Sequence, residues 1–225
     1  MNKSNTLCLV FESNSSRLTI HPYPSIRNNA HYDLKLLGKL YSEAFQKAAA
    51  ILSIGEVDAI LFESLSYLII PEYGFGAMTE NHESLVFTLS PDKEGLSESL
   101  ENDYRALIVH ELHHVVRLQK FSYSNERFSL LESVVMEGLA EAFQEELYPD
   151  SPLHINLELN DQDEWIQKML IEGEDYDYNA WFYGSAEVPR WVGYTIGYHI
   201  VKRTLAEKKI TASDAVWMKA EEFIQ

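Results

Sequence analysis

Residues 106–120 read ALIVHELHHVVRLQK. ALIV before the histidine cluster and VV after it are apolar, so the segment reads as a buried helix. Burying imidazoles costs free energy unless each finds a partner. The fold must therefore bring partners to His110, Glu111, His113 and His114. Residues four apart share a helix face, so His110 and His114 point the same way, with nitrogens close enough to grip one ion. Glu111 stands one residue round and reaches the edge of that site. The pattern is H-E-x-x-H, in which two neutral imidazoles bind zinc and the carboxylate stands beside the open position as general base. His113 lies off that face and reads as a structural or hydrogen-bonding group rather than a ligand.

Two histidines do not complete a catalytic zinc site, which takes three protein ligands and a water. The third is expected from another element. Glu137, in VVMEGLAEAF, sits mid-helix among apolar neighbours. Gly138 beside it weakens a helix, and close approach of a second helix would explain it. Glu141, one turn on, is placed to hydrogen-bond a ligating histidine from behind. The plain alternative is that both glutamates are surface residues.

HELHH followed by EGLAE on the next helix resembles the gluzincin class of zinc metallopeptidases, thermolysin-like enzymes with two His and one Glu. More narrowly, the chain resembles a bacterial domain-of-unknown-function family of predicted zinc-dependent proteases. That family carries H-E-[LFY]-x-H, then E-G-L-A-E, then an aromatic and glycine pattern like PRWVGYTIGY (189–198), and all three occur here in order. YGFGAMT and SLVFTLSP also look like the region ahead of that family's zinc helix. The resemblance covers most of residues 57–203.

It implies an α+β, zincin-like fold: an N-terminal twisted sheet, an active-site helix and a mainly helical C-terminal lobe, with a cleft between. It also implies zinc as cofactor and a peptide or protein as substrate. In such a fold an edge strand holds an extended substrate by main-chain hydrogen bonds. GFGAMT is the candidate edge, since glycines admit a second backbone; a plain glycine-rich hairpin is the alternative. Enzymes of this class also use a Tyr, His or Arg from the C-terminal lobe to stabilise the oxyanion of the tetrahedral intermediate. PRWVGYTIGY supplies Tyr194 as first candidate and Arg190 as a second, or as a binder of a substrate carboxylate. With Tyr198 they are spaced by four and would share a helix face, beside a small-residue stripe of Gly193 and Gly197. Tyrosines at that spacing also suit core packing. His199 falls off the face.

The remaining sequence sets boundaries. With 225 residues and 46 % hydrophobic content, one domain spanning 1–225 is expected, with lobes at about 1–120 and 121–225. A net charge of −17 disfavours nucleic acid and anionic lipid as partners. Cys8 is the single cysteine, which excludes an intramolecular disulfide and suits a reducing compartment. No stretch has the length of a membrane span, so a cytoplasmic protein is expected.

CLVFES, RLTIHPY and VDAILFES read as strands, and 66–92 as two strands around a turn. Helices are expected within 28–53, over 97–120 and 130–148, over 188–209 from a first turn at Pro189, and over 212–223. The serines and acidic residues near 97 would cap the second of these, and a loop over 121–129 would follow it. DYDYNA (175–180) begins like a calcium loop but lacks its glycine, so an acidic rim favouring basic substrates is the better reading. A zinc domain without catalysis is the main competing reading. A carboxylate-bridged di-iron bundle would need a second Glu-x-x-His, which the sequence lacks.

Overall fold

The computed structural model describes residues 8–65, 68–121, 128–151, 155, 159–173 and 175–225. It has two compact units, residues 1–119 and 120–225, and mixes α and β structure. The loop expected over 121–129 lies outside the described residues, save Phe121, Phe128 and Ser129.

The first unit holds every strand described. Strand β1 (Leu9–Ser13) turns into β2 (Ser16–Pro22). A short helix α1 (Pro24–Arg27) and the longer α2 (Leu34–Ala49) lead to β3 (Glu56–Glu63). A hairpin of β4 (Phe75–Asn81) and β5 (Ser84–Leu89) precedes helix α3 (Leu96–Leu118). The strand order is β1-β2-β3-β5-β4. The two hairpins are antiparallel, whereas β2–β3 and β3–β5 are parallel. Strand β4 is therefore an edge, as GFGAMT was expected to be.

Two features of this unit depart from the sequence reading. VDAILFES, with its branched and aromatic residues, reads as a buried strand, yet β3 alternates: Val57, Ala59 and Leu61 are buried while Ile60 is 40 % exposed. That is the pattern of a sheet covered on one face. The start of α3 has no side-chain cap; its N-cap is Gly95, in the left-handed region at φ 73°. Ser99, one of the expected capping residues, donates instead to the Tyr73 carbonyl at 2.7 Å.

The edge is partly taken by the chain itself. A Cβ at Gly76 would overlap the Leu68 carbonyl oxygen, so the backbone that this glycine admits is the chain's own. The part of β4 clear of Leu68 begins beyond Gly76.

Helices α2 and α3 pack on each other, α2 against β1 and α3 against β4. An aromatic cluster joins these layers. Tyr41 of α2 meets Phe87 of β5 edge-on at 5.1 Å between ring centroids, and Phe75 of β4 meets Tyr104 of α3 at 5.1 Å. The Tyr41 and Tyr104 hydroxyls bond each other at 2.5 Å with both side chains fully buried. This pairing satisfies two polar groups that would be costly alone. It ties α3 to α2 less than two turns ahead of His110.

The second unit is helical. Helix α4 (Leu130–Leu147) is followed by α5 (Gln162–Glu172), α6 (Tyr178–Tyr183) and α7 (Val192–Lys208). A capping box starts α4: Ser129 accepts from the Glu132 backbone, and the Glu132 carboxylate accepts from the Ser129 N–H. Helix α7 begins later than expected, because Trp191 takes a left-handed conformation at φ 63°. Pro189 and Arg190 therefore precede the helix, and Arg190 does not share a helix face with Tyr194 and Tyr198. The expected last helix is a run of turns ending in a 3-10 helix, Ala220–Phe223. The carboxylate of Asp214 accepts from the Thr211 N–H and hydroxyl, a local alternative to helical bonding.

Gly138 has the reason expected of it, a close helix approach. Helices α4 and α7 pack on each other, and a Cβ on Gly138 would overlap the Gly197 carbonyl, while one on Gly197 would overlap the Val134 carbonyl oxygen. Gly193 faces the Phe182 ring in the same way. Gly138→Ala should gain about 1 kcal/mol of helix propensity, yet the clash is with backbone and cannot be relieved by a rotamer. Overpacking of about 1–3 kcal/mol or more wins. The expected outcome is a lower denaturant midpoint, checked by urea unfolding at unchanged m.

No helix among the described residues is long and apolar enough to cross a membrane.

Candidate metal centre

Helix α3 is buried along most of its length, and its four-residue spacing turns His110 and His114 to one side. Their Nε2 atoms lie 3.0 Å apart and their rings meet edge to face, with centroids 4.7 Å apart. Two imidazoles bound to one tetrahedral zinc at ~2.0–2.1 Å would hold their nitrogens about 3.3 Å apart. Glu137, near the middle of α4, offers a carboxylate oxygen. One ligand atom from each of His110, His114 and Glu137 lies within 4.8 Å of the others, and all three residues are buried.

The donor set fits zinc. Two imidazoles and one carboxylate match a borderline ion with one position left open. The trio has no thiolate, as copper(I) or an iron–sulfur cluster would need, and is too poor in oxygen for calcium.

Glu111 is held by its own unit. The Thr79 hydroxyl, on β4, donates to Glu111 Oε2 at 2.6 Å and lies 3.1 Å from the Glu111 main-chain oxygen. Glu111 is 5 % exposed, so its carboxylate is held in a fixed place rather than swept through water. His113 is fully buried.

In the second unit, Glu141 lies one turn beyond Glu137 on α4 and is 1 % exposed. These glutamates are not surface residues, and a helix that buries two carboxylates needs cations or donors to receive them. One donor is Tyr178, whose hydroxyl lies 3.4 Å from Glu137 Oε1. Tyr178 stacks on Phe182 at 4.4 Å, and Phe182 meets Tyr194 edge-on at 5.1 Å. Tyr194 thus belongs, through two rings, to the aromatic wall beside Glu137, and it is buried. Arg190 stacks its guanidinium on Trp191 at 4.0 Å.

Tyr198 is engaged elsewhere. Its hydroxyl donates to Glu145 at 2.8 Å, and Lys202 bonds the other oxygen of that carboxylate at 2.6 Å. Burial, reinforced by the Glu145 bond, pushes the Tyr198 phenol up. His199 pairs with Gln162 at 3.1 Å, and burial lowers its pKa. Asp177 of DYDYNA caps α6 by accepting from the Ala180 N–H at 3.2 Å.

Thr79 and Tyr178 are the residues that motif spacing does not single out. Their partners lie 32 and 41 residues away. The available signals were indirect: Thr79 ends the strand read as a sheet edge, and Tyr178 lies in the acidic aromatic stretch.

Two curated relatives from Bacillus subtilis (strain 168) resemble this chain. The uncharacterized protein YjaZ is 28 % identical over 127 residues, covering 53 % of this chain and 49 % of YjaZ. The uncharacterized protein YjfC is 27 % identical over 139 residues, covering 53 % of this chain and 45 % of YjfC. The chain thus spans about half the length of these relatives. A family model described as predicted Zn-dependent protease matches residues 38–225, which include both helices of the His–His–Glu group. By that match the chain belongs to the DUF2268 family of predicted Zn-dependent proteases.

Proposed function

We propose that this chain is a zinc metallopeptidase with a zincin-like arrangement, hydrolysing peptide bonds with Glu111 as general base. The observation that carries the reading is the convergence of His110, His114 and Glu137 ligand atoms within 4.8 Å. A zinc ion held by His110, His114 and Glu137 would supply a Lewis acid for a water and for the scissile carbonyl. Glu111 would take a proton from the attacking water and pass it to the leaving amine. Tyr194 donates to the developing oxyanion, or Arg190 does so, and Arg190 is also the group suited to a substrate carboxylate. Glu141, buried one turn beyond Glu137, would hydrogen-bond a ligating histidine and set its orientation once the ion is bound. An extended peptide adds to β4 beyond Gly76 by main-chain hydrogen bonds.

The placement of Glu111 favours this over a zinc site without catalysis. A purely structural ion has no use for a buried carboxylate, held by Thr79, directly after its first ligand. The net charge of −17 makes nucleic acid a poor partner, and a single cysteine suits the cytoplasm.

Elemental analysis of the purified chain, followed by anomalous diffraction at the zinc edge, tests the reading. One zinc per chain is expected, with His110, His114 and Glu137 as its protein ligands. A chain that takes up no zinc, or holds it through other residues, would sink the proposal.

A further inference from the structure

The motif explains why a carboxylate stands at position 111 but not what aims it. Helix α3 fixes the Glu111 Cα, and a glutamate still has three rotatable bonds beyond that point. A general base works only with its oxygen within hydrogen-bond reach of the proton it removes. Something must therefore choose one rotamer, and among the described residues the short bond to Glu111 comes from β4.

We propose that Thr79 is a positioning residue for Glu111, so that the edge strand of the sheet aims the base; this rests on the function proposed above. The 2.6 Å separation from Oε2 is the length of a hydroxyl donating to a charged carboxylate. The hydroxyl carries one proton, so the 3.1 Å approach to the Glu111 main-chain oxygen is the weaker arm. With Oε2 held, Oε1 remains to accept the proton.

The strand geometry supports the assignment. Strand side chains alternate between faces, so Thr79 lies on the face of Phe75, the residue that meets Tyr104 of α3. The register breaks between Thr79 and Asn81, leaving Glu80 as an extra residue. Such breaks bend a strand and re-aim its side chains. One residue of β4 thus presents its hydroxyl to the base while its backbone lies in the strand proposed to receive the substrate. Chain position along that strand and base position are then set together.

The test uses Thr79→Val, which keeps the shape and removes the hydroxyl, and Thr79→Ser, which restores it. For Thr79→Val we expect kcat to fall about 10- to 100-fold, the scale of a misplaced reacting group, with KM and zinc content unchanged. Thr79→Ser should recover most of the loss. A second measurement does not use activity: the urea midpoint of the full chain, with and without zinc, for Thr79→Val in the wild-type and Glu111→Ala backgrounds. The midpoint should drop in the wild type and drop much less where no carboxylate remains to hold. Equal drops in both backgrounds, or a Thr79→Ser variant as impaired as Thr79→Val, would overturn the assignment. If the chain cleaves no peptide, the peptidase reading fails, and the midpoint comparison still decides whether Thr79 holds Glu111.

Discussion

Glu111→Gln should keep one zinc per chain and lose peptide hydrolysis by about 10²- to 10⁴-fold, the usual contribution of a positioned general base. The substitution is nearly isosteric. Its amide oxygen still accepts from the Thr79 hydroxyl, so the packing between β4 and α3 survives. What disappears is the capacity to take a proton. Glu111 is not a member of the converging trio, so zinc content measured by mass spectrometry should match wild type. Activity on a mixed peptide library supplies the second measurement. A variant that cleaves as fast as wild type would remove Glu111 from the mechanism while leaving the metal site intact. A variant that also loses zinc would make Glu111 part of the coordination sphere.

The parts of this site visible in the sequence are those that depend on helical period. His110 and His114 meet because four residues make one turn. Glu137 and Glu141 share a face of α4 for the same reason, and Gly138 stands out because glycine is costly within a helix. The hairpin of β4 and β5 was legible as two apolar runs around a polar turn. Arg190 was misplaced because a single left-handed residue, Trp191, resets where α7 begins, and nothing in a tryptophan announces that conformation. The segment 212–223 has helix-forming composition, but Asp214 and Thr211 bond locally instead. Thr79 and Tyr178 depend on which residues tertiary packing sets opposite them. No spacing rule reaches across 32 or 41 positions, and the register break after Thr79 is not written in the residue types around it. The sequence pattern thus identifies which residues carry the chemistry, whereas the residues that aim them emerge with the fold.

His114→Ala should abolish both zinc binding and hydrolysis, a larger effect than the loss of the general base or of an outer hydrogen-bond partner. It takes one imidazole from a pair whose Nε2 atoms lie 3.0 Å apart, leaving an imidazole and a carboxylate to hold the ion. Replacing an outer partner of a metal ligand costs ~10- to 100-fold in affinity, so removing a ligand must cost more. Glu137→Ala should behave like His114→Ala, whereas Glu141→Gln should fall in the outer-partner range. The measurement is zinc affinity by competition with a chromophoric chelator. It is paired with the rise in melting temperature that added zinc produces, since an ion that binds only the folded chain stabilises it in proportion to the logarithm of one plus the ratio of free zinc to Kd. Wild type should show that rise, Glu141→Gln a smaller one at the same zinc concentration, and His114→Ala and Glu137→Ala none. The order of the series carries the argument. If Glu137→Ala binds zinc as tightly as wild type while His114→Ala does not, the histidine pair stands and the third ligand lies elsewhere. If Glu141→Gln proves as damaging as Glu137→Ala, the carboxylate one turn along α4 has a direct share in the ion.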